Sequence, residues 1–306
     1  MSNLTSRYHQ RSVLLVGFGQ MGHAMQALLK DKVPISIWRV TPNSLQPSPA
    51  ILKAAMQAEI IILCVPTIAV TTCLSPLQAH LDKQAVVLSI AKGLNDSGNT
   101  AADILQTRLG MRARWGVLGG PMIANELRGG RCGFAELGSR NAASLRLVSE
   151  LFSGTQLHLR PNRNPRAVSW CGVLKNVYVP LIGLSDGLSW GDNLRGQLVC
   201  AAISEINVLV QQFCGVRNAA DGIAGLADLV TTATSRSSHH RALGWHVAHG
   251  NRHIPQGEGA HTLQVLMRHI SRLPARKFPL LQVAAALVRH PQSARSRLAA
   301  WIESFG

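Results

Sequence analysis

Short, fully apolar runs alternate with amphipathic stretches along the first half of the chain. Val13–Val16, Ile35–Trp38, Glu59–Val65, Ala85–Ile90 and Trp115–Leu118 read as strands. Between them, Gln20–Lys30 reads as a helix with Ala24, Ala27 and Leu28 on one face, followed by Ala50–Ala58, by Thr67–His80 with a break at Pro76, and by Asp103–Leu109. Strands that are apolar throughout, joined by helices, predict a parallel sheet covered on both faces. From Arg166 onward the texture is helical. Leu194–Phe213 sets Leu194, Leu198, Ile206 and Val210 at helical spacings, and Thr262–Leu273 and Pro279–His290 repeat the pattern. The polar, proline-bounded segment Arg160-Pro161-Asn162-Arg163-Asn164-Pro165 separates the two textures. The expected class is α/β: a doubly wound sheet over residues 1–165, then an all-α domain over residues 166–306.

Composition narrows the function classes. The chain has 306 residues, 46% of them hydrophobic and 15% charged, which disfavours disorder and coiled coil. The most apolar stretch, Ile60–Val70, is too short to span a membrane and holds Pro66, and Met1–Gln10 is polar. A cytoplasmic chain without integral membrane contact is expected, its six scattered cysteines reduced and buried. The net charge of +16 is the odd feature. Nucleic acid, an anionic lipid surface or a small anion would each suit it. The basic residues form no long run and aromatics are only 5%, so nucleic acid is not the expected partner.

The first strand runs directly into Gly17-Phe18-Gly19-Gln20-Met21-Gly22. In a strand–turn–helix setting this spacing is the dinucleotide fingerprint of a Rossmann unit. Gly17 makes the tight turn, Gly19 admits the pyrophosphate, and Gly22 lets helix and strand close up. The helix N-terminus then offers free N–H groups to the phosphates. The second strand ends on Arg39 rather than an acid, which favours the 2′-phosphate of NADP over the 2′-hydroxyl of NAD.

More specific segments follow in order. They are Ala91-Lys92-Gly93-Leu94, residues 119–126 from Gly119 to Glu126, Gly172-Val173-Leu174-Lys175-Asn176-Val177, residues 185–193, residues 222–232 from Gly222 to Thr232, and Glu258-Gly259-Ala260-His261-Thr262. In this order and spacing the chain resembles the soluble, bacterial type of NAD(P)-dependent glycerol-3-phosphate dehydrogenase, from Val13 to about Val288. The resemblance implies an N-terminal Rossmann domain, a helical substrate-binding domain and an active site between them. It also implies reversible reduction of dihydroxyacetone phosphate to sn-glycerol 3-phosphate, which feeds glycerophospholipid synthesis. The implied partners are a dinucleotide and a sugar phosphate, together with a homodimer; no metal is implied. Lys175 would protonate or stabilise the ketone oxygen, beside Lys92 and Asp228. Lys92, Asn176, Thr232, Ser238, His239 and His240 would bind substrate. Gly17, Gly19, Gln20, Met21, Gly22, Arg39, Pro66, Lys92, Ala124, His239 and Glu258 would bind the cofactor. Taken alone, Lys175 is already unusual, because a lysine among apolar residues must have a reason to be there.

The pattern breaks after Thr232. Where the family carries Ser-Arg-Asn, this chain has Ser238-His239-His240, followed by Arg241. Arginine is a permanent phosphate fork, whereas a histidine with an ordinary pKa of about 6.5 is mostly neutral at pH 7. Three readings stand: weaker phosphate binding with Arg236 or Arg241 supplying the charge, an altered substrate, or a nucleotide-binding protein that has lost activity. Cys200-Ala201-Ala202 likewise replaces the family's Thr-Arg-Gly.

Overall fold

The computed structural model describes residues 11–41, 44–251, 258–269 and 275–305, the side chains of 258–260, 269 and 275 excepted. The first half runs β1 (Val13–Val16), α1 (Gln20–Leu29), β2 (Ile35–Trp38), α2 (Pro49–Gln57), β3 (Ile60–Leu63), α3 (Thr67–Gln78), β4 (Val86–Ser89), α4 (Ala101–Leu109), β5 (Trp115–Gly119), α5 (Ala124–Arg128), β6 (Gly133–Gly138), α6 (Ala142–Phe152) and β7 (Leu157–Asn162). The second half has α7 (Pro165–Gly187), α8 (Asp192–Cys214), α9 (Asp228–Thr234), α10 (His239–Ala248), α11 (Glu258–His269), α12 (Pro279–Arg289) and α13 (Ala294–Glu303).

The sheet order is β2-β1-β3-β4-β5-β6-β7. The strands are parallel through β5, β6 pairs antiparallel with β5, and β7 pairs parallel with β6. Every residue of β1, β3 and β4 is buried, as continuous apolar strands between two helical layers require. The polar, proline-bounded segment 160–165 that separates the two textures is divided between elements: Arg160–Asn162 complete β7 and Pro165 opens α7. Pro161 is tolerated there because β7 is the outer strand of the sheet.

Four other expectations are adjusted. α3 continues past Pro76, which lies two residues from its last residue; buried Cys73, Leu74 and Leu77 anchor that turn. On α1 the buried positions are Gly22, Ala24, Met25 and Leu29, with Ala27 and Leu28 half-buried. Of the six free cysteines, Cys132 and Cys200 are exposed rather than buried. The helix read over Thr262–Leu273 is observed as Glu258–His269, and Ser271–Leu273 lie outside the described residues.

α7 is the axis of the second half. Pro165 opens it, where a missing N–H costs nothing, and it is buried on all sides through most of its 23 residues. By length and composition α7 and α8 could each cross a membrane, with mean hydropathies of 1.3 and 1.2 over their most apolar windows, so the sequence does hold segments of that length. The window in α7 is wholly buried within the protein. Lys175, Asn176 and Pro180 interrupt α7 and hide its length from a search for uniform apolarity. α10 crosses α7 so closely that a Cβ on Gly244 would stand inside contact distance of the Pro180 carbonyl oxygen.

One buried carboxylate ties three helices together. Glu205 of α8 accepts hydrogen bonds from the Tyr178 hydroxyl of α7 (2.8 Å) and from the backbone N–H groups of Leu280 (2.7 Å) and Leu281 (2.9 Å) at the start of α12. Burial pushes its pKa upward against these donors. Glu205→Ala strands all three donors in the interior. It is expected to cost about 3 kcal/mol or more, read as a lower urea midpoint of unfolding; a loss of stability under about 1 kcal/mol would show that α12 is held elsewhere.

Candidate active site

The carboxyl ends of β1, β3, β4 and β5 face the helical half across a cavity of about 530 Å3. Its floor on the sheet side is the turn from β1 into α1. Gly17 has φ +89°, and a Cβ there would stand 2.6 Å from the Val65 side chain and 2.8 Å from the Cys64 carbonyl oxygen. A Cβ on Gly22 would stand 2.5 Å from the Gly17 carbonyl oxygen, so both positions exclude a side chain. Gly19 lines the cavity, and nothing stands within 4 Å of where its Cβ would be. Gly19 also caps α1 without a side-chain hydrogen bond, which leaves the first-turn N–H groups of that helix to a ligand. At the end of β2 the Arg39 guanidinium lies 4.2 Å above the Phe18 ring, which in turn packs on His23.

The opposite wall is built on a three-member charge cluster. Lys92, in the loop after β4, donates to Asp228 Oδ2 at 2.7 Å and to the Gly120 carbonyl at 2.6 Å. Lys175, midway along α7, lies 3.3 Å from Asp228 Oδ1 and donates to Thr232 Oγ1 at 2.6 Å. The Thr232 hydroxyl donates to the Asp228 carbonyl at 2.6 Å. Lys175 and Asp228 side chains are 6% and 3% exposed and Lys92 20%, so two ammonium groups share one carboxylate in a desolvated wall. The cluster carries a net positive charge toward the cavity.

Local structure explains these positions. The Lys92 loop is fixed by Gly93 N–H to Thr67 Oγ1 (3.0 Å) and Leu94 N–H to Thr262 Oγ1 (3.4 Å), and Asn176 Nδ2 donates to the Lys92 carbonyl (3.2 Å). Asp228 follows a single π-helical turn, Ile223–Ala227, whose wider winding leads into the start of α9. Asn176 Oδ1 is buried and accepts no hydrogen bond among the described residues.

His239 and His240 open α10 and line the cavity with Ser235, Ser237 and Ser238. Burial, then the Lys175 and His239 charges, push the His240 pKa down to about 3, so its imidazole is neutral at physiological pH. Arg241 does not supply the missing charge. Its Nε and terminal nitrogen lie 2.9 and 2.8 Å from Asp186 Oδ2, while Arg195 occupies Asp186 Oδ1 at 2.8 Å. Arg236 is exposed and outside the lining. Cys64 also faces the cavity; burial pushes its thiol up to about 12, which keeps it protonated and unreactive.

The cavity therefore brings together Gly19, Gln20, Met21, Pro66, Lys92, Lys175, Asn176, Thr232, Ser238, His239 and His240. Gly17 and Gly22 lie beneath the turn, Asp228 lies behind the two lysines, and Arg39 is on the rim of β2. Ala124 begins α5 beside the lining residue Ile123. Glu258 begins α11, but its side chain lies outside the described residues. Gly120, Met122 and Ile123 lie in the segment 119–126 that carries the resemblance but had no site role in the sequence, and Ser235 and Ser237 were missed. A backbone acceptor has no sequence signature; Ser235 and Ser237 could have been found from their closeness to Ser238-His239-His240 in the chain.

Residues 39–144 match the family profile described as NAD-dependent glycerol-3-phosphate dehydrogenase N-terminus, and residues 164–298 match the corresponding C-terminus. The glycine turn precedes the first match and rests on its own geometry. Among curated relatives, glycerol-3-phosphate dehydrogenase (NAD(P)+) 2 of Lactobacillus delbrueckii subsp. bulgaricus is 26% identical over 217 residues, covering 69% of this chain and 64% of that protein. Glycerol-3-phosphate dehydrogenase (NAD(P)+) of Coxiella burnetii is 28% identical over 200 residues, covering 65% and 60%. The matched stretches thus span less than two thirds of these relatives. The fold is that of the Coxiella burnetii glycerol-3-phosphate dehydrogenase crystal structure, at TM-score 0.81 and 22% identity over 95% of this chain and 99% of that one. The Plasmodium falciparum glycerol-3-phosphate dehydrogenase structure aligns equally well, at TM-score 0.81 and 16% identity over 94% of each chain. With both of its halves matched by the paired profiles, the chain belongs to the NAD-dependent glycerol-3-phosphate dehydrogenase family.

Proposed function

We propose that this protein is a cytoplasmic NAD(P)H-dependent oxidoreductase that interconverts dihydroxyacetone phosphate and sn-glycerol 3-phosphate, working as a homodimer. The observation that carries the reading is the Lys92–Asp228–Lys175 cluster in a cavity that opens on the Gly17–Gly22 turn. The residues present fit a dinucleotide: Gly19 leaves room for a close approach, and the uncapped start of α1 offers N–H groups to phosphate oxygens. The nicotinamide, when bound, supplies hydride to the carbonyl carbon.

This chain's residues handle the charge that develops on oxygen. Lys175 stabilises the growing alkoxide and gives it a proton. Asp228 holds both ammonium groups in place, and Thr232 fixes the direction of the Lys175 Nζ–H bonds. Lys92 adds a second positive charge for an anionic substrate. Asn176 Oδ1, a buried acceptor, suits a substrate hydroxyl. The dinucleotide's preference for NADPH rests on Arg39, exposed at the end of β2.

Turnover of dihydroxyacetone phosphate by the purified chain, with NADPH and with NADH, is the direct test; none at millimolar substrate would overturn the reading. Lys175→Met is expected to lower kcat by about 100-fold or more while NADPH still binds, as followed by nucleotide fluorescence. Unchanged turnover would remove Lys175 from the chemistry. Arg39→Asp is expected to reverse the coenzyme preference, with kcat/KM for NADPH falling about tenfold and that for NADH held or raised. Because His240 is neutral and Arg241 is committed to Asp186, substrate phosphate is held without a guanidinium from this wall. Combined His239→Arg and His240→Asn is expected to lower KM for dihydroxyacetone phosphate about tenfold at nearly constant kcat. An unchanged or higher KM would mean the phosphate is bound elsewhere.

A further inference from the structure

A second polar cavity, of about 480 Å3, shares no lining residue with the first. It forms where β6 and β7 meet the loop that follows α8. Arg160 enters from β7 and Arg217 from the loop, and both are exposed. Neither arginine makes an ion pair with the described residues. Two carboxylates face the same space. Glu136 is 6% exposed and has no cation within 4 Å among the described residues; it accepts hydrogen bonds from Asn162 Nδ2 (2.7 Å) and from the Ile223 N–H (3.2 Å). Asp221 Oδ1 accepts from Asn207 Nδ2 (2.7 Å). Asn218 sits on the lining with φ +53°, in the left-handed region that asparagine tolerates, and leads into the turn Ala219–Asp221.

This arrangement selects a ligand by its chemistry. Two unpaired guanidinium forks match the oxygens of a phosphate. A bare polyanion is disfavoured, because it would also face the Glu136 and Asp221 carboxylates. A ligand with a phosphate at one end and hydroxyl donors at the other satisfies both pairs. We propose that this cavity binds a small polyhydroxylated phosphate ester, its phosphate on Arg160 and Arg217 and its hydroxyls donating to Glu136 and Asp221.

The site is connected to the charge cluster through the backbone. Gly222 lies so close to Glu136 that a Cβ on it would stand 2.6 Å from Oε1, and Ile223 is bonded to the same carboxylate. From there the π turn Ile223–Ala227 leads directly to Asp228. Occupancy is therefore felt along residues 219–232 as reduced opening of that segment.

Calorimetric titration of the full chain with glucose 6-phosphate, inorganic phosphate and glucose tests the chemistry. Glucose 6-phosphate is expected to bind at least about tenfold more tightly than phosphate, with glucose not bound. Arg160→Gln combined with Arg217→Gln should weaken glucose 6-phosphate at least about tenfold, and Arg217→Lys should fall between, since it keeps the charge without the fork. Both side chains are on the surface, so an unchanged thermal midpoint is expected to accompany the loss. Hydrogen exchange of peptides within 219–232 should slow with glucose 6-phosphate in the wild type and not in the double variant. Equal binding by wild type and double variant, binding of glucose as tight as that of its phosphate, or unaltered exchange would overturn the proposal. None of these readouts requires turnover, so the outcome is independent of the dehydrogenase reaction.

Discussion

Asp228 between two lysines is the constraint around which the site is organised. A buried carboxylate is costly unless paired, and so is each buried ammonium. Here one carboxylate serves two cations, at 2.7 and 3.3 Å, and the Gly120 carbonyl and Thr232 hydroxyl take further lysine hydrogen bonds. The cluster is held but not neutral. A third partner that is negative, or that becomes negative during reaction, completes it. That is the electrostatic requirement of an oxyanion forming at a reduced ketone, and equally of an anionic substrate arriving from solvent.

The three residues come from separate parts of the fold: Lys92 from the loop after β4, Lys175 from the middle of α7, Asp228 from the start of α9. The cluster thus exists only when the sheet and the helical half are packed together. α7 makes this possible by being buried all round, so that a lysine in its middle faces the seam between the halves rather than water. Asn176, one residue on, donates back to the Lys92 carbonyl and fixes the loop against the helix. Glu205 plays the corresponding part about one turn further along α7, at Tyr178, holding α8 and α12 by hydrogen bonds rather than by opposite charge.

Much of this was legible in the sequence, for identifiable reasons. The central strands are apolar without interruption, and Gly17, Gly19 and Gly22 follow the first of them, so the sheet core and the glycine turn could be read locally. Lys175 stood out because its apolar neighbours made a charge conspicuous. β6 and β7 were not legible. β6 carries Glu136 amid apolar residues and β7 carries Arg160, Pro161 and Asn162, so each looks like a loop until the other strand pairs with it. The orientation of Arg241 was equally hidden. Its partner, Asp186, lies 55 positions away, and the choice between cavity and interior is made by tertiary packing of α10 on α7.

That choice determines what the two histidines can do. A guanidinium in this wall would bring a fixed charge next to Lys175, and binding phosphate would then compensate it. His240 instead surrenders its proton to that environment, because burial and the Lys175 charge both oppose a second cation. A neutral imidazole can still hydrogen-bond an anion, but it adds no fixed charge to this wall. The chain's net charge of +16 would favour the approach of an anion. Among the described residues, the cations in the cavity lining are Lys92 and Lys175, and under the proposed reaction they would both retain the phosphate and face the reacting carbonyl. Under that proposal, substrate binding and transition-state stabilisation would be drawn from the same two ammonium groups, more than if arginine anchored the phosphate separately.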